Sequence, residues 1–405
     1  MHRISYRRRA VAAIFLLAIA GAAELAARAG LALLERRGVE YEPLVADRLS
    51  AKHRELLKDL LTGRPSLFQH DAVLGWTLRP GYRSELSTVG LDGLRRDPER
   101  PEPKASAVRV ATFGDSFTFG GDVADRHAYP EWLARLNSGL AVDNFGVPAY
   151  GLDQAFLRYQ RDGRRTHPQI VVIGFMAENI FRNVSVFRPF YRPPSQLPFA
   201  KPRYLPGTPG STDLSLVENP LPRLKDYHRL LVHPSETLRQ LGRHDHFYQT
   251  RLRAGAFDGS ATVRLVKLAK RQLLPDTGIV RHGEYNTDGE AFRVTTGLFA
   301  AFYEMALRDG AQPVILIFPE RGDLDRWRRE RTKRYAPLLR FLAAKGYRVV
   351  DAMEALAAVG GQRSPEDLIP AHFSPLANQL VAEHLLGQLR GFGLVGPASA
   401  NSSGP

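Results

Sequence analysis

The chain has 405 residues, enough for one large domain with additions or for two modest ones. Hydrophobic residues make up 44% and charged residues 24%, which excludes a wholly disordered, collagenous or multi-spanning chain. The absence of cysteine excludes a disulfide scaffold, a thiol nucleophile and a cysteine-ligated metal. The formal charge of +14 invites an anionic partner, but the basic residues are dispersed and no zinc finger, aromatic RNA-binding signature or long basic block accompanies them, so no nucleic-acid partner is expected.

The first nine residues, MHRISYRRR, carry four arginines and no acid, and Ala10 to Ala23 is uncharged and apolar. Fourteen helical residues reach about 21 Å, short of a hydrocarbon core of about 30 Å. Continuing through Glu24 and Arg28 to Leu34 gives 25 residues, enough to span, and the two charges are spaced to pair on one helix face. The arginines should stay in the cytoplasm and send everything after residue 35 outside. A cleaved signal peptide competes, because Ala18-Ile19-Ala20 resembles a small-residue cleavage site. A soluble chain with an amphipathic start is a third reading. The apolar pattern LAARAGLALL continues beyond the cleavage site and favours an uncleaved signal anchor over residues 1–35.

Residues 36–107 read as a stalk and pre-domain segment, helical from about Leu44. The stretch Asp71–Pro80 is too irregular there for a helix or strand. From Val108 the texture changes. Short β-branched apolar runs at 108–114, 140–147, 169–175, 313–319 and 347–353 alternate with helical patterns at 128–137, 153–166, 293–309, 328–344 and 375–389. Such alternation predicts a parallel sheet covered on both faces, in a domain spanning 108–390. An insertion at 184–290 interrupts it and has the length of a lid, binding face or partner surface. Its stretch 188–210 is too rich in proline for a regular element, a proline divides LKDYHRLLVHPSETLRQL, and 260–274 reads as a helix. Residues 391–405 form a small-residue tail expected to be disordered.

Phe113-Gly-Asp-Ser116-Phe-Thr-Phe-Gly120 stands where the first core strand ends, the edge at which open parallel sheets bind ligands. A Gly-Asp-Ser triplet is also a common turn and cap. The segment is neither a Walker loop nor a G-x-S-x-G elbow. The second strand runs into Asn144-Phe-Gly-Val-Pro-Ala149-Tyr-Gly151, and the third runs through Gly174 to Asn179, whose amide either caps a helix or donates to an oxyanion. After the fifth strand, His372 precedes a helix and is placed as a solvent-facing base. A hydroxyl, its proton acceptor and oxyanion donors on one sheet edge are the minimum for acyl transfer, which needs no cofactor. No phosphate cradle or metal-ligand cluster is evident, and the isolated His70 and His282 read as surface or structural residues.

These blocks resemble the GDSL/SGNH hydrolase superfamily, especially its membrane-attached bacterial members, over residues 108–390, with a weaker echo at Asp71–Pro80. FGDSFTFG looks like the first block, with Ser116 as nucleophile. NFGVPAYG followed by Gln154 is similar to the second, Asn179 to the third, and His372 in HFSPLANQLVAEHL to the last. The resemblance implies a three-layer α/β/α sandwich around a mainly five-stranded parallel sheet, here with a large insertion and an N-terminal transmembrane helix. It also implies oxyanion donors from the Ser116 backbone, the second-block backbone and Asn179. Three departures stand out. Ala149 occupies the second-block glycine position, where any need for positive φ would strain it. Ile180 replaces an aspartate. Ile369 and Pro370 occupy the places of the carboxylate that precedes the base, leaving Asp367 and Glu366 five and six residues before His372.

The expectation is a Ser116–His372 dyad with Asp367 as a remote third candidate. The expected activity is serine-dependent hydrolysis of an acyl ester, foremost an O-acetyl ester, on an envelope glycan or lipid. The enzyme would sit in the inner membrane as a single-pass protein with its catalytic domain outside the cytoplasm. Transfer of the acetyl group to an envelope polysaccharide and a degenerate, binding-only relative are the alternatives. The Arg- and Tyr-rich stretch 188–204 reads either as a grip for an anionic or sugar ligand or as a solvated basic loop.

Overall fold

The computed structural model describes residues 2–37, 49, 51–192, 195, 197–208, 210–253, 255–273, 276–359 and 363–396. The start of the stalk helix at Leu44 and the tail from 397 onward lie outside the described residues. The chain divides into two compact units. One comprises 64–186, 199–224 and 276–405, and the other 1–63, 187–198 and 225–275.

The first unit is built on five parallel strands: β1 (Val108–Phe113), β2 (Leu140–Asn144), β3 (Ile170–Met176), β4 (Gln312–Phe318) and β5 (Val349–Asp351), in the order β5-β4-β3-β1-β2. Successive side chains alternate between the faces of a strand. Val110, Val142, Val172, Leu316 and Val350 therefore share one core with Leu133, Leu356, Val381 and Leu385 of the helices Tyr129–Leu136, Ala352–Ala358 and Pro375–Gly391. The alternate residues meet the other helical layer, Leu152–Arg161 and Glu290–Arg308, through aromatic contacts. Phe113 packs edge-on to Tyr159 at 5.5 Å, Tyr159 to Phe302 at 5.8 Å and Phe175 to Phe299 at 5.4 Å between ring centroids. β3 is buried along its whole length, which explains its unbroken apolar run. The expected α/β/α architecture is present.

Three expectations change. Asp71–Pro80 is not irregular: Phe68–Asp71 pairs antiparallel with Gly75–Leu78. The turn works because the Asp71 carboxylate accepts from the amides of Val73 and Leu74 at 3.0 and 2.9 Å. Trp76 of this hairpin is buried, stacks on Phe199 at 5.9 Å and donates to the Pro148 carbonyl at 3.2 Å. The compact unit that holds the sheet also takes in the residues from Arg64 to β1. The proline-rich 188–210 also holds regular elements, a helical turn Arg188–Tyr191 and a strand Arg203–Pro206 paired with Leu214–Val217. Proline is tolerated here at the start of the helix and at the end of a two-stranded ribbon. Finally, the pattern at 328–344 is two helices, Arg321–Glu330 and Ala336–Ala344, the second opened by Pro337.

In the second unit a single helix runs from His2 to Arg36, and its stretch Arg8–Leu34 is long and apolar enough to cross a membrane. The proline in LKDYHRLLVHPSETLRQL separates His228–Val232 from Pro234–Gly242, and the helix expected at 260–274 covers Ala261–Leu273.

Candidate active site

The β1 carboxyl end turns sharply into the short helix Ser116–Phe119. Asp115 caps it, accepting from the Phe117 amide at 2.9 Å, while Gly120 and Gly121 both donate to the Ser116 carbonyl at 2.9 and 2.7 Å. Gly114 has φ of 154°, and a Cβ there would strike the Thr118 side chain and come within 3.1 Å of the Gly174 carbonyl, so the turn before the serine requires glycine. Ser116 is 7% exposed.

The second turn is laced onto the first. Asn144 receives the Gly146 amide at 2.9 Å and donates to the Phe119 carbonyl at 3.2 Å, and Val147 donates to the Gly114 carbonyl at 3.0 Å. This carries Ala149 to the same edge with φ of 70°, the positive value that its glycine-like position demands. A non-glycine residue there stores about 1–3 kcal/mol of strain. The third turn presents Asn179, 1% exposed, whose side-chain oxygen is buried without a hydrogen-bond partner. That atom is an acceptor, so what it lacks is a donor. The neighbouring Asn183 is committed to structure, accepting from the Leu152 amide and donating to Thr295 at 2.9 Å each.

His372 lies between the short helix Pro365–Leu368 and the helix Pro375–Gly391. Its ring meets Phe117 edge-on at 5.4 Å, and a Cβ on Gly121 would stand 3.0 Å from its Cγ and Nδ1. Nδ1 is 2.6 Å from the carboxylate of Asp122. Asp122, not Asp367, is thus the acid beside His372. Asp367 is turned into its own helix: its carboxylate accepts from the Ser364 amide at 3.0 Å while its amide donates to Ser364 Oγ at 3.1 Å. Hydrogen bonds from the Ser364 backbone and side chain hold its carboxyl below the usual range. Asp122 has φ of 64°, a conformation that aspartate tolerates better than most residues. Ser116 Oγ and His372 are not hydrogen-bonded to each other; in unliganded sites such bonds are often long and tighten only with substrate.

Two arginines position these turns. Arg182, 4% exposed, donates to Asp115 at 3.3 Å, to the Tyr150 carbonyl at 3.0 Å and to Glu178 at 2.7 Å. These partners are the direct chain neighbours of Ser116, Ala149 and Asn179. Burial works to lower the Arg182 guanidinium, but Glu178 and Asp115 outweigh it and hold it above its ordinary value. Arg95, 1% exposed, donates to the carbonyls of Phe119 and Gly120 at 2.8 and 2.5 Å, to that of Val123 at 2.7 Å and to Asp125 at 2.6 Å. It brackets the loop that carries Asp122.

Sequence reasoning missed Asp122 and both arginines. Asp122 was findable as the nearest acid following the FGDSFTFG block, six residues after Ser116. His70 bonds the Leu221 carbonyl at 3.2 Å, a structural role. Among the described residues no group of three or more His, Asp or Glu could hold a metal.

A family model described as GDSL-like lipase/acylhydrolase matches residues 112–380. A search of curated proteins finds no match. Among solved structures, the chain is similar to an α/β hydrolase from the metagenome of Lake Arreo, Spain, with 14% identity, 73% of this chain and 99% of that one covered, and a TM-score of 0.38. It is also similar to a catalytic mutant of an acetylxylan esterase from Geobacillus stearothermophilus, with 13% identity, coverage of 73% and 100%, and a TM-score of 0.37. A GDSL-like lipase from Bacteroides thetaiotaomicron matches with 14% identity, coverage of 72% and 93%, and a TM-score of 0.34.

Proposed function

The chain belongs to the GDSL-like lipase/acylhydrolase family and is an ester hydrolase, and on that premise we propose that Ser116, His372 and Asp122 form its catalytic triad and that it removes small acyl groups, foremost acetyl, from a glycan or lipid outside the cytoplasm. The observation that carries this reading is the 2.6 Å contact between His372 Nδ1 and Asp122, in a loop that begins at the nucleophile's own turn.

The contact commits Nδ1 to donating to the acid and leaves Nε2 to take the proton from Ser116 Oγ as it attacks the ester carbonyl. The oxyanion is received by the backbone amides of Ser116 and Ala149 and by the Asn179 side chain. His372 then returns the proton to the leaving alcohol, and water, activated by the same base, releases the acid from the acyl-serine. The near-complete burial of Ser116 favours a short acyl group. The extracytoplasmic setting rests on the N-terminal helix read as an anchor with its arginines inside.

The test is turnover of p-nitrophenyl esters of increasing chain length. Acetate should exceed octanoate by at least about tenfold in kcat/KM, and Ser116→Ala should lower acetate turnover by about 10³-fold or more in a folded protein. Preference for octanoate would overturn the small-acyl reading. Acetyl transfer to an added sugar outrunning hydrolysis would replace hydrolysis by transfer. Undiminished turnover in Ser116→Ala would remove the proposed nucleophile.

A further inference from the structure

Within the N-terminal unit, the apolar helix His2–Arg36 does not stand alone. Its Glu24 carboxylate accepts from Ser260 Oγ and the Ala261 amide at 2.7 Å each, and from the Thr262 amide and hydroxyl at 3.1 Å each. Arg28 adds a bond at 3.3 Å. One helical turn and more further along, Ala27 and Leu31 pack against Ala261 and Leu268. The helix Ala261–Leu273 therefore runs parallel to the second half of the apolar helix, starting at the level of Glu24.

Depth follows from length. A hydrocarbon core of about 30 Å takes about 20 helical residues, which from Ala10 ends near Ala29. Glu24 then lies about 8 Å beneath that boundary. An acid at that depth is tolerated when its partners come with it, and here they are Ser260, Ala261 and Thr262. The loop before them carries Phe257, 77% exposed. The outer side of the following helix carries Val266, 62% exposed, and Leu273, 78% exposed, a second apolar stripe facing away from the packed one. Residues 251–273 contain six basic residues and one acid, Asp258, which Lys267 already pairs at 2.5 Å.

We propose that the segment 255–270 dips beside the anchor into the leaflet facing the body of the protein, with Phe257 among the acyl chains and Lys270 level with the phosphates of anionic phospholipid. This rests on the anchor reading of the N-terminal helix. The exposed stripe fits a lipid surface by its continuity with the apolar helix and by its positive charge.

The cysteine-free chain makes the test direct. Phe15→Cys, Phe257→Cys, Val266→Cys and Leu91→Cys variants of the full chain each take one NBD fluorophore and are reconstituted in phosphatidylethanolamine/phosphatidylglycerol vesicles. Labels at 15, 257 and 266 should emit at shorter wavelength than the label at 91 and be quenched by doxyl lipids at least about twofold more. Lys270→Glu should shrink quenching at 257 in these vesicles and leave it unchanged in neutral phosphatidylcholine. Quenching at 15 with 257 and 266 behaving like 91 would overturn the proposal while leaving the anchor standing. A label at 15 that also behaves like 91 would overturn the anchor and the proposal together. A shift at 257 that follows protein density and ignores doxyl lipid would assign the stripe to contact between two copies instead.

Discussion

An imidazole proposed as a base needs its far nitrogen held by an acceptor, and for His372 the acceptor comes from the loop that follows Ser116. Asp122 and His372 are 250 positions apart in the chain, yet the Gly121 backbone lies against the imidazole and puts the acid beside it. Removing the charge while keeping the shape isolates the contribution. Asp122→Asn should lower kcat by about 10²–10⁴-fold with the fold intact, because an amide at that place favours the wrong tautomer and does not stabilise the imidazolium. Asp367→Asn should cost less than about tenfold, since that carboxylate serves its own helix. The reverse ranking in a p-nitrophenyl acetate assay would return the acid's role to Asp367. Arg182 acts through others: its fork holds the residues adjoining Ser116, Ala149 and Asn179. Lysine keeps the charge but lacks the fork. Arg182→Lys should therefore lower kcat by about tenfold or more and leave KM within about threefold, as displaced oxyanion donors weaken the transition state and not substrate binding. A structural role alone would lower Tm and leave kcat untouched.

At the scale of elements, the hairpin Phe68–Asp71/Gly75–Leu78 buttresses the turn that carries Ala149. Trp76 donates to Pro148 on one side of Ala149, and the Tyr150 hydroxyl on the other donates to the Trp76 carbonyl at 2.7 Å. Its own turn depends on Asp71, which also receives Arg161 through both oxygens at 2.9 and 2.7 Å. Burial works to raise the Asp71 carboxyl, but the Leu74 amide and Arg161 outweigh it and keep it below its ordinary value of 3.8. A carboxyl depressed by folding contributes stability above its unfolded pKa and loses it as pH falls through the folded one. Asp71→Asn should thus lower Tm by about 3–8 °C at pH 7. That deficit should narrow as the pH is brought below about 3.8. A deficit independent of pH in thermal scans would mean that the carboxylate's charge plays no part.

For the whole molecule, the sequence determined the elements whose stability is local or periodic. Five short β-branched apolar runs bounded by turns read as buried strands, and their alternation with amphipathic helices predicts a parallel sheet that binds ligands at its strand ends. Ser116, Ala149, Asn179 and His372 could be placed at that edge because each follows a strand or precedes a helix. The strain at Ala149 was legible because the family resemblance puts Ala149 at a glycine position, and alanine pays for the positive φ found there. Asp71–Leu78 was not legible as a hairpin, since its short strands are stabilised by Trp76 packing on residues far along the chain and not by their own pattern. Asp122 escaped for a related reason. Spacing along the chain locates a carboxylate that reaches a histidine through one local turn, and the acid here arrives from a different strand's loop, held by Arg95 from a third segment. Tertiary structure alone decided which acid meets His372 and which arginine ties the neighbours of Ser116, Ala149 and Asn179 together, because a hydrogen bond depends on distance in space and the chain's order carries that information only where the contact is local.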